Sequence, residues 1–148
     1  MKKIIALVVL LCALTISSTA SAADYKYICT SAEGNDYFID YSSISQRKGE
    51  KGKDGLQFSV IIKIIYSEFG RAKRSNSLPP ELINFAVYEL DQILFRVKKS
   101  QKGYRLERGA IYAYDGTILS NGHHFNSFVK IANNSVFRTL FDAAYNRL

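Results

Sequence analysis

The 148-residue chain carries 20 basic and 13 acidic side chains, which gives it a formal net charge of +7. A chain of this length fits one domain around a single core, and this excludes a multidomain organisation. The basic charge balance favours anionic partners without naming one.

The first 22 residues are predicted to be a secretory signal peptide. Lys2 and Lys3 precede an apolar run over residues 4–16, and small residues follow it, ending in Ala20-Ser21-Ala22. The run is shorter than the roughly 20 residues that a membrane-spanning helix needs, and no second run follows it. The sequence therefore predicts an exported protein, in the periplasm, at the cell surface or secreted, with no transmembrane segment.

We expect cleavage after Ala22, with cleavage after Ala23 as the alternative. Cys12 lies inside the apolar run, but Leu11 before it is bulky where a lipoprotein signal needs a small residue. No lipid anchor is therefore predicted at Cys12.

Residues 23–148 are predicted to form the mature domain. Removal of Lys2 and Lys3 with the leader leaves 18 basic and 13 acidic side chains, a formal net charge of +5. Cys29 is the only cysteine of this part, so no intramolecular disulfide can form. Because Cys29 alternates with Tyr25 and Tyr27 on a predicted inner strand, we expect a buried free thiol.

Alternation of apolar and polar residues predicts β-strands along most of the mature chain. It is clearest over 56–66, where Ile61 and Ile65 interrupt the polar side and are expected to contact a second apolar layer or a partner. Within 85–98 the alternation changes phase, which leaves open either a bulge or two strands with a short connection. Further strands are predicted near 25–31, 36–41, 85–98 and 104–114.

The end of the chain predicts a hairpin, a short strand and a helix. Asp115-Gly116 predicts a two-residue turn in a hairpin over 104–120, followed by the loop SNGHHFNS and a short strand over 128–131. Helical spacing then begins, and Asn134 or Ser135 is expected to cap the helix. Its apolar face is formed by Phe137, Leu140, Phe141 and Ala144.

These elements predict an α+β fold, in which an antiparallel β-sheet of about five to six strands packs against a C-terminal α-helix. Two loops, over 45–55 and 67–81, interrupt the strands.

The sequence predicts no enzyme, no metal site and no cofactor. His123 and His124 are adjacent in a loop, where their side chains point apart and do not grip one metal ion. Cys29 lies in an apolar strand, which is typical of an inert thiol. The carboxylate pairs Asp36 with Asp40 and Glu89 with Asp91 would each share a strand face, but such residues usually face solvent.

Basic residues cluster in both predicted loops and form the candidate partner-binding set. Their charge favours an acidic protein, anionic lipid or anionic glycans, whereas export argues against nucleic acid. Because the strand 56–66 separates the loops, we expect them at opposite ends of the sheet rather than in one compact patch. The set comprises Arg47, Lys48, Lys51 and Lys53 in the first loop, and Arg71, Lys73 and Arg74 in the second.

Four motifs in order resemble the surface-adhesin protein E family of small exported bacterial proteins. They are YFIDYSSI, YELDQILFRV, GAIYAYDGTILSNG and FVKIANNSVFRTLFDAAY, and the similarity spans about residues 25–146. The resemblance implies a single curved antiparallel sheet against a C-terminal helix, and binding to host extracellular-matrix or serum proteins.

The chain also departs from the family pattern. Gln92 and either Ala144 or Tyr145 stand where the family has a disulfide pair, and Phe128 replaces a usual Trp. The resemblance transfers no binding residue. A surface adhesin is thus the leading expectation, a periplasmic inhibitor or stress-related interaction protein is the alternative, and a homodimer is a further partner to test.

Overall fold

The computed structural model describes residues 22–47, 55–73 and 78–148. The predicted α+β fold is confirmed, because one antiparallel sheet packs against a C-terminal helix. In chain order the elements are β1 (Tyr25–Thr30), β2 (Asp36–Arg47), β3 (Leu56–Ile65), α1 (Glu68–Lys73), α2 (Pro80–Ile83), β4 (Tyr88–Lys98), β5 (Gln101–Tyr112), β6 (Ile118–His123), β7 (Val129–Lys130) and α3 (Val136–Tyr145).

The strands of the sheet follow chain order. Across the sheet the strand order is β1-β2-β3-β4-β5-β6. The short β7 pairs with the part of β5 that does not pair with β6. Every neighbouring pair is antiparallel. The strands β3 and β4 are therefore central, while β1 is an edge strand.

One face of the sheet, which we call the core face, is covered by α3. Phe58 of β3, Phe95 of β4 and Phe141 of α3 meet there, with each pair of ring centroids 5.3 to 5.4 Å apart. Ser135 caps α3, accepting a hydrogen bond from the Arg138 N–H at 3.3 Å. The buried apolar residues include Ile39, Phe58, Val60, Ile62, Ile64, Ile93, Phe95, Leu106, Ile111, Leu140, Phe141 and Ala144.

The strand β2 is longer than predicted because polar side chains hold an irregular stretch inside it. Its register against β3 shifts between Asp40 and Ser45. The Ser43 hydroxyl accepts a hydrogen bond from the Ile61 N–H at 2.8 Å, in place of a backbone carbonyl. Asp40 accepts from the Ser42 N–H and hydroxyl, so pairing resumes through Arg47 instead of ending near residue 41.

The turn at Asp115-Gly116 has three residues rather than the predicted two. The Ala113 N–H donates a hydrogen bond to the Thr117 carbonyl at 2.9 Å, and Gly116 has a φ of +84°. A left-handed glycine after a tight turn is typical of a three-residue hairpin loop. The partner strand β6 also continues through His123, so the first residues of the predicted loop SNGHHFNS belong to the sheet.

Three further expectations are corrected. The segment 67–81 contains two helices, α1 and the start of α2, because Ser67 and Pro80 begin helical turns there. The strand β4 begins at Tyr88 rather than near 85. Cys29 is only half-buried, because β1 is an edge strand and its pairing is irregular between Tyr27 and Cys29. Burial still raises the pKa of the Cys29 thiol.

No helix in the described part of the chain is long and apolar enough to cross a membrane.

Candidate functional site

The sheet face opposite α3, which we call the open face, carries apolar and aromatic side chains on the central strands. The register places Lys63 beside Leu90, and Leu90 beside Ala110, across β3, β4 and β5. These three side chains are half-buried, although they lie in the middle of the sheet. The open face is therefore partly apolar and still accessible to solvent.

A row of three tyrosines and one lysine crosses this face. The Tyr88 and Tyr112 rings stack with centroids 4.8 Å apart and planes within 6°. The Lys63 ammonium lies 4.8 Å from the Tyr88 centroid and 5.5 Å from the Tyr25 centroid. Each contact is a favourable cation–π or stacking arrangement, so the neighbours fix the ring positions. We call this set the tyrosine row.

Tyr25 is also tuned electrostatically. Burial raises the pKa of Tyr25, and the nearby Asp40 carboxylate with Tyr88 and Tyr112 raises it further. A free tyrosine already has a pKa near 10. The Tyr25 hydroxyl therefore stays protonated throughout the physiological pH range and can donate a hydrogen bond.

An apolar groove of about 490 Å³ adjoins the tyrosine row. Its walls come from β1, β3, β4, β5 and β6, and no carboxylate or histidine is among the described residues that line it. Polar groups at its side come from Gln92 and Arg108, and the Arg108 Nε donates a hydrogen bond to the Gln92 Oε1 at 3.3 Å. The lining residues that carry the argument below are Tyr25, Ile61, Leu90, Gln92, Arg108 and Tyr112.

The sequence predicts that Ile61 contacts a second apolar layer or a partner. It is half-buried and lines the groove, rather than lying under a second layer of secondary structure in the described chain. A large apolar side chain at the centre of an open face fits contact with a partner.

The carboxylates considered for catalysis lie elsewhere. Glu89 and Asp91 share one face, as their spacing predicted, but that face is the core face, where they are 1% and 5% exposed. The expectation that they face solvent is wrong. The Tyr66 hydroxyl donates a hydrogen bond to Glu89 at 2.5 Å, which binds this carboxylate into the core.

Asp36 and Asp40 also have structural roles. Asp36 accepts a hydrogen bond from the Thr30 hydroxyl at 2.6 Å, and Asp40 accepts from the Asp24 N–H at 2.9 Å. His124 is exposed and its Nδ1 lies 3.0 Å from the Gly122 carbonyl, while the His123 side chain lies outside the described part. Within the described residues no group of three His, Cys, Asp or Glu side chains could hold a metal ion.

The predicted basic set is only partly described. Arg47 pairs with Glu107, Arg71 Nη1 donates to the Asn84 carbonyl at 2.8 Å, and Lys73 pairs with Glu33 at 3.1 Å. Arg47 lies beside the start of β3, and Arg71 follows its end, so the described members of the two predicted loops are at opposite ends of that strand. Lys48, Lys51, Lys53 and Arg74 lie outside the described residues.

Neither the tyrosine row nor the groove was predicted as a site from the sequence. The available signal is the inverted polarity at the start of β4, where Tyr88 and Leu90 face outward while Glu89 and Asp91 face inward. In the sequence this inversion appeared only as a change of phase.

Comparisons of the chain with protein-family models, with curated proteins and with solved structures give no match. The resemblance to the surface-adhesin protein E family therefore stays a prediction from the motifs. Of the positions matched to its disulfide, Gln92 lines the groove of the open face. Both alternatives for the second position lie on the other side of the sheet, since Ala144 is buried in the core and the Tyr145 ring contacts Phe58 and Phe141.

Proposed function

We propose that the chain is an exported bacterial binding protein, an adhesin-like module that contacts host extracellular-matrix or serum proteins through its open face. The observation that carries this proposal is the tyrosine row beside the apolar groove. Tyrosine and arginine are enriched at protein interfaces, whereas catalytic sites need convergent acid, base or metal-binding groups. The groove is lined by tyrosine and arginine, the residues typical of an interface.

The contacts within the tyrosine row favour binding for a second reason. Ordering side chains on association costs roughly 0.5 to 1.5 kcal/mol for each flexible group. The stacking of Tyr88 on Tyr112, and the position of Lys63 between Tyr25 and Tyr88, order these groups before any partner arrives. The surface is thus preorganised for a protein partner.

Two measurements test the class of function. Cells that express the full chain should expose it to added protease, and the purified mature chain should be retained on immobilised extracellular-matrix extract or serum proteins. Protection from protease in intact cells, together with recovery of a periplasmic partner by affinity capture, would instead favour the periplasmic inhibitor or stress-related protein.

A further inference from the structure

A second depression, of about 340 Å³, lies at the end of the sheet where the β4–β5 hairpin turns. The register aligns Arg96 of β4 with Gly103 of β5, and Gly103 with Lys130 of β7. Neighbouring strands are about 4.8 Å apart, so the Arg96 and Lys130 backbones lie roughly 10 Å apart, with β5 between them. Gly103 is buried there, and a side chain at this position would contact the Val129 carbonyl and the Phe128 side chain.

The depression is strongly basic. No carboxylate is among the described residues that line it, whereas five of them are cations: Arg96, Lys98, Lys99, Lys102 and Lys130. We call it the basic depression. Lys102 is paired with Asp142 at 2.7 Å, and Lys98 also interacts with a neighbouring group. Like charges around one concave surface repel each other and raise the local positive potential, which an anionic ligand would relieve.

Part of this charge is held in a fixed position. The Arg96 guanidinium lies 3.8 Å from the centroid of the Phe128 ring, which also lines the depression. A guanidinium held on an aromatic face keeps its N–H donors in a defined plane, which suits the oxygens of a sulfate or phosphate group.

We propose that the basic depression binds a sulfated polysaccharide chain. Sulfate groups on a linear saccharide chain can meet several cations of this concave surface at once. A flat membrane surface fits a concave site less well. The proposal does not depend on the open-face proposal, because β4 places this depression about 30 Å from Tyr88.

Binding of the purified mature chain to immobilised heparin tests the proposal. The variant Lys98→Gln/Lys130→Gln removes two exposed charges, and we expect its heparin affinity to fall about tenfold. The slope of log affinity against log salt concentration should fall as well, because fewer counterions are released. An unchanged melting temperature would show that the variant remains folded.

The control is Lys26→Gln/Arg147→Gln, which removes the same net charge outside the basic depression. Lys26 of β1 pairs with Asp24, which precedes that strand, and Arg147 lies over the Tyr41 ring. We expect this control to bind heparin within about twofold of the unchanged chain. Equal losses in both double variants would overturn the proposal, because they would indicate diffuse charge alone.

Two alternatives are also tested: an anionic membrane as the ligand, and the lysines of the first predicted loop as the binding residues. Binding to vesicles of anionic phospholipid but not to heparin would overturn the proposal in favour of a membrane surface. A triple variant Lys48→Gln/Lys51→Gln/Lys53→Gln examines the earlier prediction. Loss of heparin binding in that variant, with full binding retained in Lys98→Gln/Lys130→Gln, would also overturn the proposal for the basic depression.

Discussion

At the scale of single residues, the turn between β4 and β5 holds backbone strain. Lys99 and Ser100 have φ angles of 48° and 65°, and Lys98 pairs directly with Gln101 on either side of them. Two successive positive φ angles define the turn type whose twist matches a two-residue hairpin, and it usually contains Asn or Gly. This turn has Lys99 and Ser100 instead of Asn or Gly.

Ser100→Gly is expected to stabilise the protein by about 0.5 to 1 kcal/mol, because glycine adopts positive φ without a steric penalty. Urea unfolding of the variant and of the unchanged chain measures the difference. Ser127→Gly is the control, since Ser127 is exposed and its φ is not positive. Stabilisation by both substitutions, or by neither, would show that Ser100 is not strained.

The Asp142 carboxylate illustrates a charge whose partners come from two elements. Lys102 of β5 donates to Asp142 at 2.7 Å, and Arg138, one turn earlier in α3, donates to it at 2.7 Å. Burial opposes the shift, but these hydrogen bonds and charges together lower the pKa of Asp142. A carboxyl pKa that is lower in the folded chain stabilises the fold above the unfolded-state pKa, near 3.9.

Asp142→Asn should therefore lower the free energy of unfolding at pH 7 by about 0.5 to 1 kcal/mol, the range for partly exposed ion pairs. The difference between variant and unchanged chain should shrink as the pH falls below about 4, through the folded pKa. Unfolding by denaturant at a series of pH values measures this. A difference that stays constant between pH 7 and pH 2.5 would contradict the assignment.

At the scale of elements, α3 closes the core through its aromatic side. Phe141 is fully buried and touches Phe58 and Phe95, while Phe137 stacks on Tyr104 with ring centroids 3.8 Å apart. The side chain of Thr139, on the same helix, is exposed. The stabilising contribution of the helix should be concentrated on its apolar face.

Phe141→Ala is predicted to cost about 3 to 5 kcal/mol, because it removes a buried ring and leaves a cavity between α3 and the sheet. Thr139→Ala on the same helix should change stability by less than about 0.5 kcal/mol. Thermal unfolding of the two variants compares them. Similar small losses in both would mean that α3 does not cover the core.

The elements with one clear periodicity could be predicted from the sequence. The alternation over β3 and the apolar spacing of Phe137, Leu140 and Phe141 both correspond to buried faces. The sequence predicts a loop over 67–81, where the structure has short helices, with six residues in α1 and four in α2. Helices of that length leave too few turns for a periodic signal.

The candidate site could not be predicted, because it depends on which face of β4 the helix covers. Leu90 and Glu89 are neighbours in sequence, and hydropathy alone assigns Leu90 to the core and Glu89 to solvent. The structure reverses both, since Glu89 receives a hydrogen bond from Tyr66 while Leu90 lines the groove. The basic depression likewise depends on the pairing of β7 beside Gly103.

At the scale of the whole molecule, the open face is large enough for a protein partner. Five interstrand spacings of about 4.8 Å and ten residues of about 3.3 Å give a face of roughly 800 Å², similar to one side of a standard interface. The groove and the basic depression lie toward opposite ends of β4 and β5. The two proposed binding functions can therefore be removed separately by mutation.

The most direct test of the open-face proposal compares two double variants for binding to immobilised extracellular-matrix extract or serum proteins. Leu90→Gln/Tyr112→Ser changes the groove and the tyrosine row. Phe69→Gln/Tyr114→Ser changes two exposed aromatic residues, 60% and 91% accessible, that do not line the groove. We predict that the first variant binds at least about tenfold more weakly, while the second binds within about twofold of the unchanged chain. Equal binding by both variants, with both folded, would contradict the assignment of the open face as the binding surface.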